Sequence, residues 1–342
     1  MKHREQINTV IGLLLMLAAL SACQNLIVTP SESDLGVADF EVAWRAIDDD
    51  YVYLEFKGIN WDSMYTEFLP RAETTRGDEF YDVLHDLLCQ LKDGHVFYVT
   101  PGGSEIYPWT PPRRLRDEGL YNPFVVRKYF DGDLRRSSSG QIEYGILPDN
   151  IGYIFLAGFH EHYLIDDFYA VLNALRTTSG LILDIRQRQG GSLQNIDAVV
   201  SRFLTEPLTR NEFYRAGGEL LEFPPLQPRG SNPWTKPVVV LINGLTFSAG
   251  ELCTEMLKQL PHVTAVGDTT GGGSAGNNWD APGEYLLPSG RYIHIGTLDG
   301  RRYDGLPYEW NGVPPDVRIV QTMADILAGH DRQLEYAIDL LK

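Results

Sequence analysis

Val238-Val239-Val240-Leu241-Ile242-Asn243-Gly244-Leu245-Thr246-Phe247-Ser248-Ala249-Gly250-Glu251 is the stretch on which the reading of this chain turns. Its first five residues, preceded by Pro237, are aliphatic without a break, the pattern of a strand buried on both faces. A short turn follows, and from about Ala249 to Leu260 the apolar residues recur at helical spacing. Ser248 therefore stands where a buried strand becomes a helix. Its hydroxyl lies near unpaired backbone N–H groups and the positive end of the helix dipole. Two readings follow. Ser248 is an N-cap with Glu251 as capping-box partner, or it is a nucleophile whose oxyanion takes the Ala249 N–H.

The same alternation extends outward from this stretch. Gly152–Leu156, Gly180–Ile185 and Pro237–Ile242 read as strands, with helices over 165–175, 196–204 and 249–260. Near-continuous apolar strands, each followed by a helix, imply an α/β sheet covered on both faces. Upstream, Phe40, Trp44, Ile47 and Tyr51 form one helical face. Trp61, Tyr65 and Phe68 form a second, and Phe80, Leu84, Leu87 and Leu91 a third. Gly58 ends the first of these helices, and Asn60 or Asp62 caps the next. Between bundle and sheet lies a proline-rich connector with strand-like runs at Phe124-Val125-Val126 and Gln141–Tyr144. The expected division is a leader over 1–22, a tether over 23–36, a helical bundle over 37–98, a β-rich connector over 99–150 and an αβ core over 151–342.

The chain has 342 residues, 43% of them hydrophobic, enough for a substantial core. Asp and Glu number 46 against 29 Lys and Arg, a formal charge of −17. That balance argues against nucleic-acid binding, which needs a basic footprint. The N-terminus carries Lys2 and Arg4, then an apolar run over 10–20 too short to span a membrane but suited to a signal peptide. Leu20-Ser21-Ala22-Cys23 resembles a bacterial lipobox, in which the Cys23 thiol takes the lipid. Gln24, rather than Asp, favours the outer membrane. Cleavage before Cys23 removes Lys2, Arg4 and Glu5 and leaves the chain one charge more negative. The expected location is the cell envelope, with lipid the only membrane attachment, facing the periplasm or the cell surface. Cys89 and Cys253 lie on apolar helical patterns and are expected to be buried free thiols.

Three further segments carry candidate chemistry. Asp184-Ile185-Arg186 with Gly190-Gly191 runs from a strand into a loop, where glycines let backbone N–H groups approach a ligand or simply make a turn. No Walker lysine follows. Asp93-Gly94-His95 ends the third helix and projects a histidine toward the cleft between bundle and sheet. Tyr308-Glu309-Trp310-Asn311-Gly312-Val313-Pro314-Pro315-Asp316 is turn-rich, either a surface loop or the seat of an acid. No histidine spacing suits a metal, and Asp48-Asp49-Asp50 lacks a calcium-loop pattern, so no metal or cofactor is expected.

Taken together and in this order, these segments resemble the carboxy-terminal processing protease and tricorn-core family of serine peptidases, over residues 38–98 and 150–320. The resemblance implies a crotonase-like αβ core preceded by the helical bundle, with the active site between them. It makes Ser248 the nucleophile, His95 the general base and Glu309 its acidic partner, with Ala249 and either Gly190 or Gly191 forming the oxyanion hole. One branch of the family uses a Ser–Lys dyad. Here the loop Thr269-Thr270-Gly271-Gly272-Gly273-Ser274 has no lysine, which points to the His-and-Glu branch and would also fit an inactive Ser–Lys enzyme. Arg188 replaces an Asn common in the family, and residues 99–150 show no PDZ pattern. The expected activity is endopeptidase cleavage of peptides or unfolded envelope protein. The rival is a catalytically inactive peptide-binding lipoprotein of the same fold. Cleavage-site preference and oligomeric state are left open.

Overall fold

A computed structural model describes residues 32–342 except 101, 133, 160–163, 188–189, 274 and 277–282. Cys23 and the expected leader lie outside the described residues, as do Arg188 and Ser274.

The aliphatic strands assemble as their composition dictates. A seven-stranded sheet runs in the order Val317–Arg318, Val263–Gly267, Val238–Ile242, Gly180–Asp184, Ile151–Leu156, Ile142–Leu147 and Arg135–Arg136. The first five are parallel and the last two antiparallel. Along the central strand Val238, Val240 and Ile242 face one side, against Phe168, Val199, Leu252 and Met256. Val239 and Leu241 face the other, against Leu334 and Ala337 of the C-terminal helix Arg332–Leu341. Alternate side chains thus enter two separate cores, which is why every position is apolar.

That second face is locked by a buried guanidinium. Arg186 donates to both oxygens of Asp184 and to both of Asp331, with Tyr153 Oη donating to Asp184 Oδ2 at 2.8 Å. The Asp184-Ile185-Arg186 motif is therefore a clamp on the C-terminal helix.

The bundle buries its three faces together, with Phe40, Ile47, Phe68, Leu84 and Leu87 all inaccessible to solvent. Its first helix, Glu32–Asp50, begins inside the stretch expected to be a tether. Asn60 caps Trp61–Thr74 by accepting from the Ser63 N–H at 3.1 Å, and Gly58, at φ +64°, closes the short helix Leu54–Lys57. Trp44 and Trp61 exchange indole-to-carbonyl hydrogen bonds.

The first bundle helix ends at Asp50, so Gly58 closes a separate short helix and not the first one as expected. Further features differ from the sequence expectation. Phe124-Val125-Val126 is a helical turn within Pro123–Arg127, because Asn122 accepts from the Phe124 N–H at 2.9 Å and Pro123 presets the first helical φ. Cap chemistry here overrides the β-preference of two valines. The connector is also divided between the two units. Its strands Arg135–Arg136 and Ile142–Leu147 finish the large sheet, while Glu105–Ile106 pairs with Phe97–Val99 at the end of the bundle, which pairs in turn with Tyr292–His294 from far along the chain. The hairpin Glu284–Leu286 and Tyr292–His294 therefore packs on the bundle, with Leu287, Ile293 and Ile295 in the bundle core.

Candidate active site

Ser248 follows the strand Val238–Ile242 by a tight turn and opens the helix Ala249–Lys258. Its backbone has φ +54° and ψ −120°. An ordinary N-cap sits in the extended region, so this conformation is not explained by capping. For a residue with a Cβ it costs about 1–3 kcal/mol and must be imposed by its surroundings. Here the Ser248 N–H donates to Gly273 O and to Glu251 Oε2, both at 3.1 Å. The preceding turn is held by Thr246 Oγ1 donating to Ile185 O and by the Gly244 N–H donating to Asp117 Oδ2.

Glu251 is the organiser of this corner. Wholly buried, it accepts from the Thr270 hydroxyl and the Gly272 N–H on one oxygen and from the Gly273 and Ser248 N–H groups on the other. Burial pushes its carboxyl up to about 7, against the pull of these four donors. Capping-box geometry at Glu251 and a strained Ser248 are thus two parts of one device.

Gly190 lies directly against the serine. A Cβ there would come within 2.8 Å of both Ser248 Cβ and Oγ, at a φ of +37°. Its N–H is already given to Phe247 O at 2.9 Å, which leaves Gly190 no amide for an oxyanion. No acceptor among the described residues takes the N–H of Ala249 or Gly191. Ala249 follows Ser248 directly and Gly191 follows Gly190, so their amides are the candidate donors for an oxyanion.

His95 arrives from the bundle. Its N–H donates to Asp93 Oδ1 at 2.8 Å, and its carbonyl contacts His294 Nδ1 at 2.9 Å. The ring stacks on Phe247, centroids 4.5 Å apart, and neither ring nitrogen has a hydrogen-bond partner among the described residues. Burial, with His294, Arg114 and Lys57 adding to it and Asp93 opposing, lowers the imidazole to about 4. At neutral pH it is an uncharged base.

Glu309 is buried at the head of the turn-rich segment. The Trp310 N–H donates to Gly272 O at 3.1 Å, and Val313 and Thr270 exchange hydrogen bonds through N–H, hydroxyl and carbonyl. Asp316 accepts from the Ala265 N–H at 2.8 Å. Gly312-Val313-Pro314-Pro315-Asp316 is thus the splice that fixes Glu309 to the sheet edge. Glu309 Oε1 lies 2.7 Å from Lys57 Nζ. Burial and Asp93 raise its carboxyl well above the usual range, and Lys57 opposes them.

The three segments meet around Phe247 and Gly273. Gly273 O holds the Ser248 N–H, and a Cβ on Gly273 would strike the Phe247 ring at 2.5 Å and lie 3.4 Å from Glu309 Oε2. His95 covers the Phe247 ring. Ser248, His95 and Glu309 thus share one neighbourhood, but no hydrogen bond joins His95 to either of the other two. A cavity of about 340 Å³ opens beside them, walled by Trp109, Pro111, Arg113, Gly272 and Trp310.

Residues 150–319 match the profile of peptidase family S41, and residues 38–89 match the tricorn protease C1 domain. The chain belongs to peptidase family S41. It is 28% identical over 157 residues to the carboxy-terminal processing protease CtpB of Bacillus subtilis, covering 42% of this chain and 32% of that protein. It is 28% identical over 210 residues to the tricorn protease of Thermoplasma acidophilum, covering 60% of this chain and 17% of that one. The chain therefore spans a third or less of these relatives' length. A Parabacteroides merdae structure assigned as a peptidase superposes with a TM-score of 0.76 at 27% identity, over 90% of this chain and 96% of that one. The α/β fold with its N-terminal helices is that of S41 protease structures.

Lys57 and Asp93 are the polar residues of this S41 site that reading the sequence for function leaves out. Asp93 was visible only as the start of Asp-Gly-His. Lys57 gives no signal beyond preceding a helix-ending glycine.

Proposed function

We propose that this S41 chain is a serine endopeptidase of the bacterial cell envelope, lipid-anchored at Cys23, acting on peptides or unfolded envelope proteins. Supporting the chemistry is one observation above the rest, the strained Ser248 at a strand-to-helix corner with Gly190 packed directly against its side chain. Ser248 Oγ would attack the scissile carbonyl as its proton passes to His95, neutral at working pH. The oxyanion would take the Ala249 and Gly191 N–H groups, and Glu309 would stabilise the imidazolium. His95 would then return the proton to the leaving amine, and water would release the acyl group. For this the His95 ring must turn off Phe247. The lipobox-like Leu20-Ser21-Ala22-Cys23 supports the anchor.

The open relay, with both His95 nitrogens unpartnered, favours a second reading, a peptide-binding lipoprotein that does not cleave. Casein cleavage and fluorophosphonate labelling, compared between wild type and Ser248→Ala, decide between them. Cleavage and labelling in the wild type, lost by about a thousandfold or more in the variant, support the peptidase. An unlabelled, inactive wild type supports the binder. Palmitate labelling lost in Cys23→Ser tests the anchor.

A further inference from the structure

Lys57 is buried to 1% of its side-chain surface, an unusual place for an ammonium. Everything around it is arranged to hold the charge. Nζ donates to Tyr51 Oη at 2.7 Å and to Leu91 O at 2.9 Å. It lies 2.7 Å from Glu309 Oε1 and 3.4 Å from Asp93 Oδ2. The rings of Tyr51, Tyr53 and Trp310 surround it at 5.4–5.5 Å, a cation–π cage. Of the two carboxylates, Asp93 has other donors, the Tyr51 hydroxyl at 2.6 Å and the His95 N–H. Among the described residues Glu309 has no hydrogen-bond donor aligned on either oxygen, and its ion-pair partner is Lys57.

We propose that Lys57 is a positioning residue of the active site, its ammonium clamping Glu309 to Asp93 in one buried cluster behind His95. The proposal rests on the Ser248–His95–Glu309 reading and extends it. Burial and Asp93 work against ionisation of Glu309, and Lys57 is the neighbour that favours it. In the state that can stabilise an imidazolium, with Lys57 charged, both carboxylates ionised and His95 neutral, the cluster carries one negative charge in excess. Proton transfer from Ser248 to His95 brings it to neutrality, so the surroundings favour the imidazolium when it forms. Without the ammonium, two adjacent buried carboxyls cannot both stay ionised. Glu309, with no other donor, is the one that takes a proton, and a neutral Glu309 cannot stabilise an imidazolium.

The test is a double-mutant cycle of Lys57→Met and Glu309→Gln, with kcat, KM and pH profiles on a peptide substrate and thermal unfolding as the folding control. Lys57→Met is expected to lower kcat by about ten- to a hundredfold with KM within about threefold. Its remaining kcat should rise toward alkaline pH as Glu309 ionises. In the Glu309→Gln background, Lys57→Met should change neither kcat nor the pH profile further. Should Lys57→Met fail to fold, Lys57→Gln replaces it, since it removes the charge but keeps a hydrogen-bond donor in the pocket, and the same non-additivity is expected. Additive losses overturn the proposal and make Lys57 a structural stitch between the bundle and the Glu309 turn. A higher kcat in Lys57→Met overturns it too, showing that Lys57 withholds Glu309 from His95. A wild type that neither cleaves nor labels overturns the peptidase reading, and the proposal with it.

Discussion

At the scale of single residues, what sets the site apart is the cost of its arrangement. Ser248 adopts a backbone conformation that an alanine-like residue avoids, and His95 buries a ring without hydrogen bonds. Both are local penalties that the surrounding packing must offset. The His95 environment makes a direct prediction. Its pKa is lowered to about 4, chiefly by burial, and a general base works only when neutral. Activity is therefore present above that pKa and is lost as pH falls through it. The acid limb of the kcat/KM profile, which reports the free enzyme, should halve near pH 4, provided circular dichroism shows the fold intact. A midpoint near 6.5 would mean that the reacting histidine is solvated. Ser248, His95 and Glu309 were legible because each sits in a short motif with a structural break beside it. Lys57 was not, because a lone lysine at a helix end gives no hint of burial until the Glu309 turn, some 250 residues later, closes over it.

At the scale of elements, continuous aliphatic runs announced the central strands, and helical spacing announced the helices that cover one face. The two- and three-residue strands could not be read, since their partners are distant and their side chains half-exposed. Phe97–Val99 is an instance, completed by Tyr292–His294. Glu251 shows how one residue joins several elements, tying the start of Ala249–Lys258 to the Gly272–Gly273 loop through both of its oxygens. In Glu251→Gln the new amide must point at one or two backbone N–H groups. A loss of about 1–3 kcal/mol is expected from each donor left unpaired, measured as a shift in denaturation midpoint, together with slower fluorophosphonate labelling. The pH dependence has a definite sign. An acid raised to about 7 in the folded state contributes stability that is full below its unfolded pKa of about 4.5 and is lost as pH rises through 7. That decline should be present in the wild type and absent in Glu251→Gln. An unchanged slope would remove Glu251 as its source.

At the scale of the whole molecule, the proposed base His95 and the proposed nucleophile Ser248 belong to different structural units, so on that reading catalysis depends on how the bundle is seated. The seat is the hairpin that the later chain sends back across the bundle. Asp39, fully buried on the first helix, accepts from the Ser289 N–H and hydroxyl and pairs with Arg291 at 3.0 Å. Arg291 also donates to Gly77 O and covers the Tyr81 ring. At the far end of the same strand His294, stacked on Phe97, contacts the His95 carbonyl. A rigid hairpin therefore carries the bundle's hold on Asp39 to the backbone of the base. Asp39→Asn weakens that anchor and leaves the largely buried Arg291 with the exposed Asp78, 3.6 Å away, as its remaining countercharge. The expected cost is about 2–4 kcal/mol of stability, with thermal unfolding still a single transition because the hairpin belongs to both units. The kcat should fall several-fold at temperatures where the protein remains folded, while KM changes little, because the loosened element holds the base and not the cavity beside Trp109 and Trp310. If stability falls and kcat does not, the hairpin braces the bundle alone, and His95 is fixed by Asp93 and its own helix end.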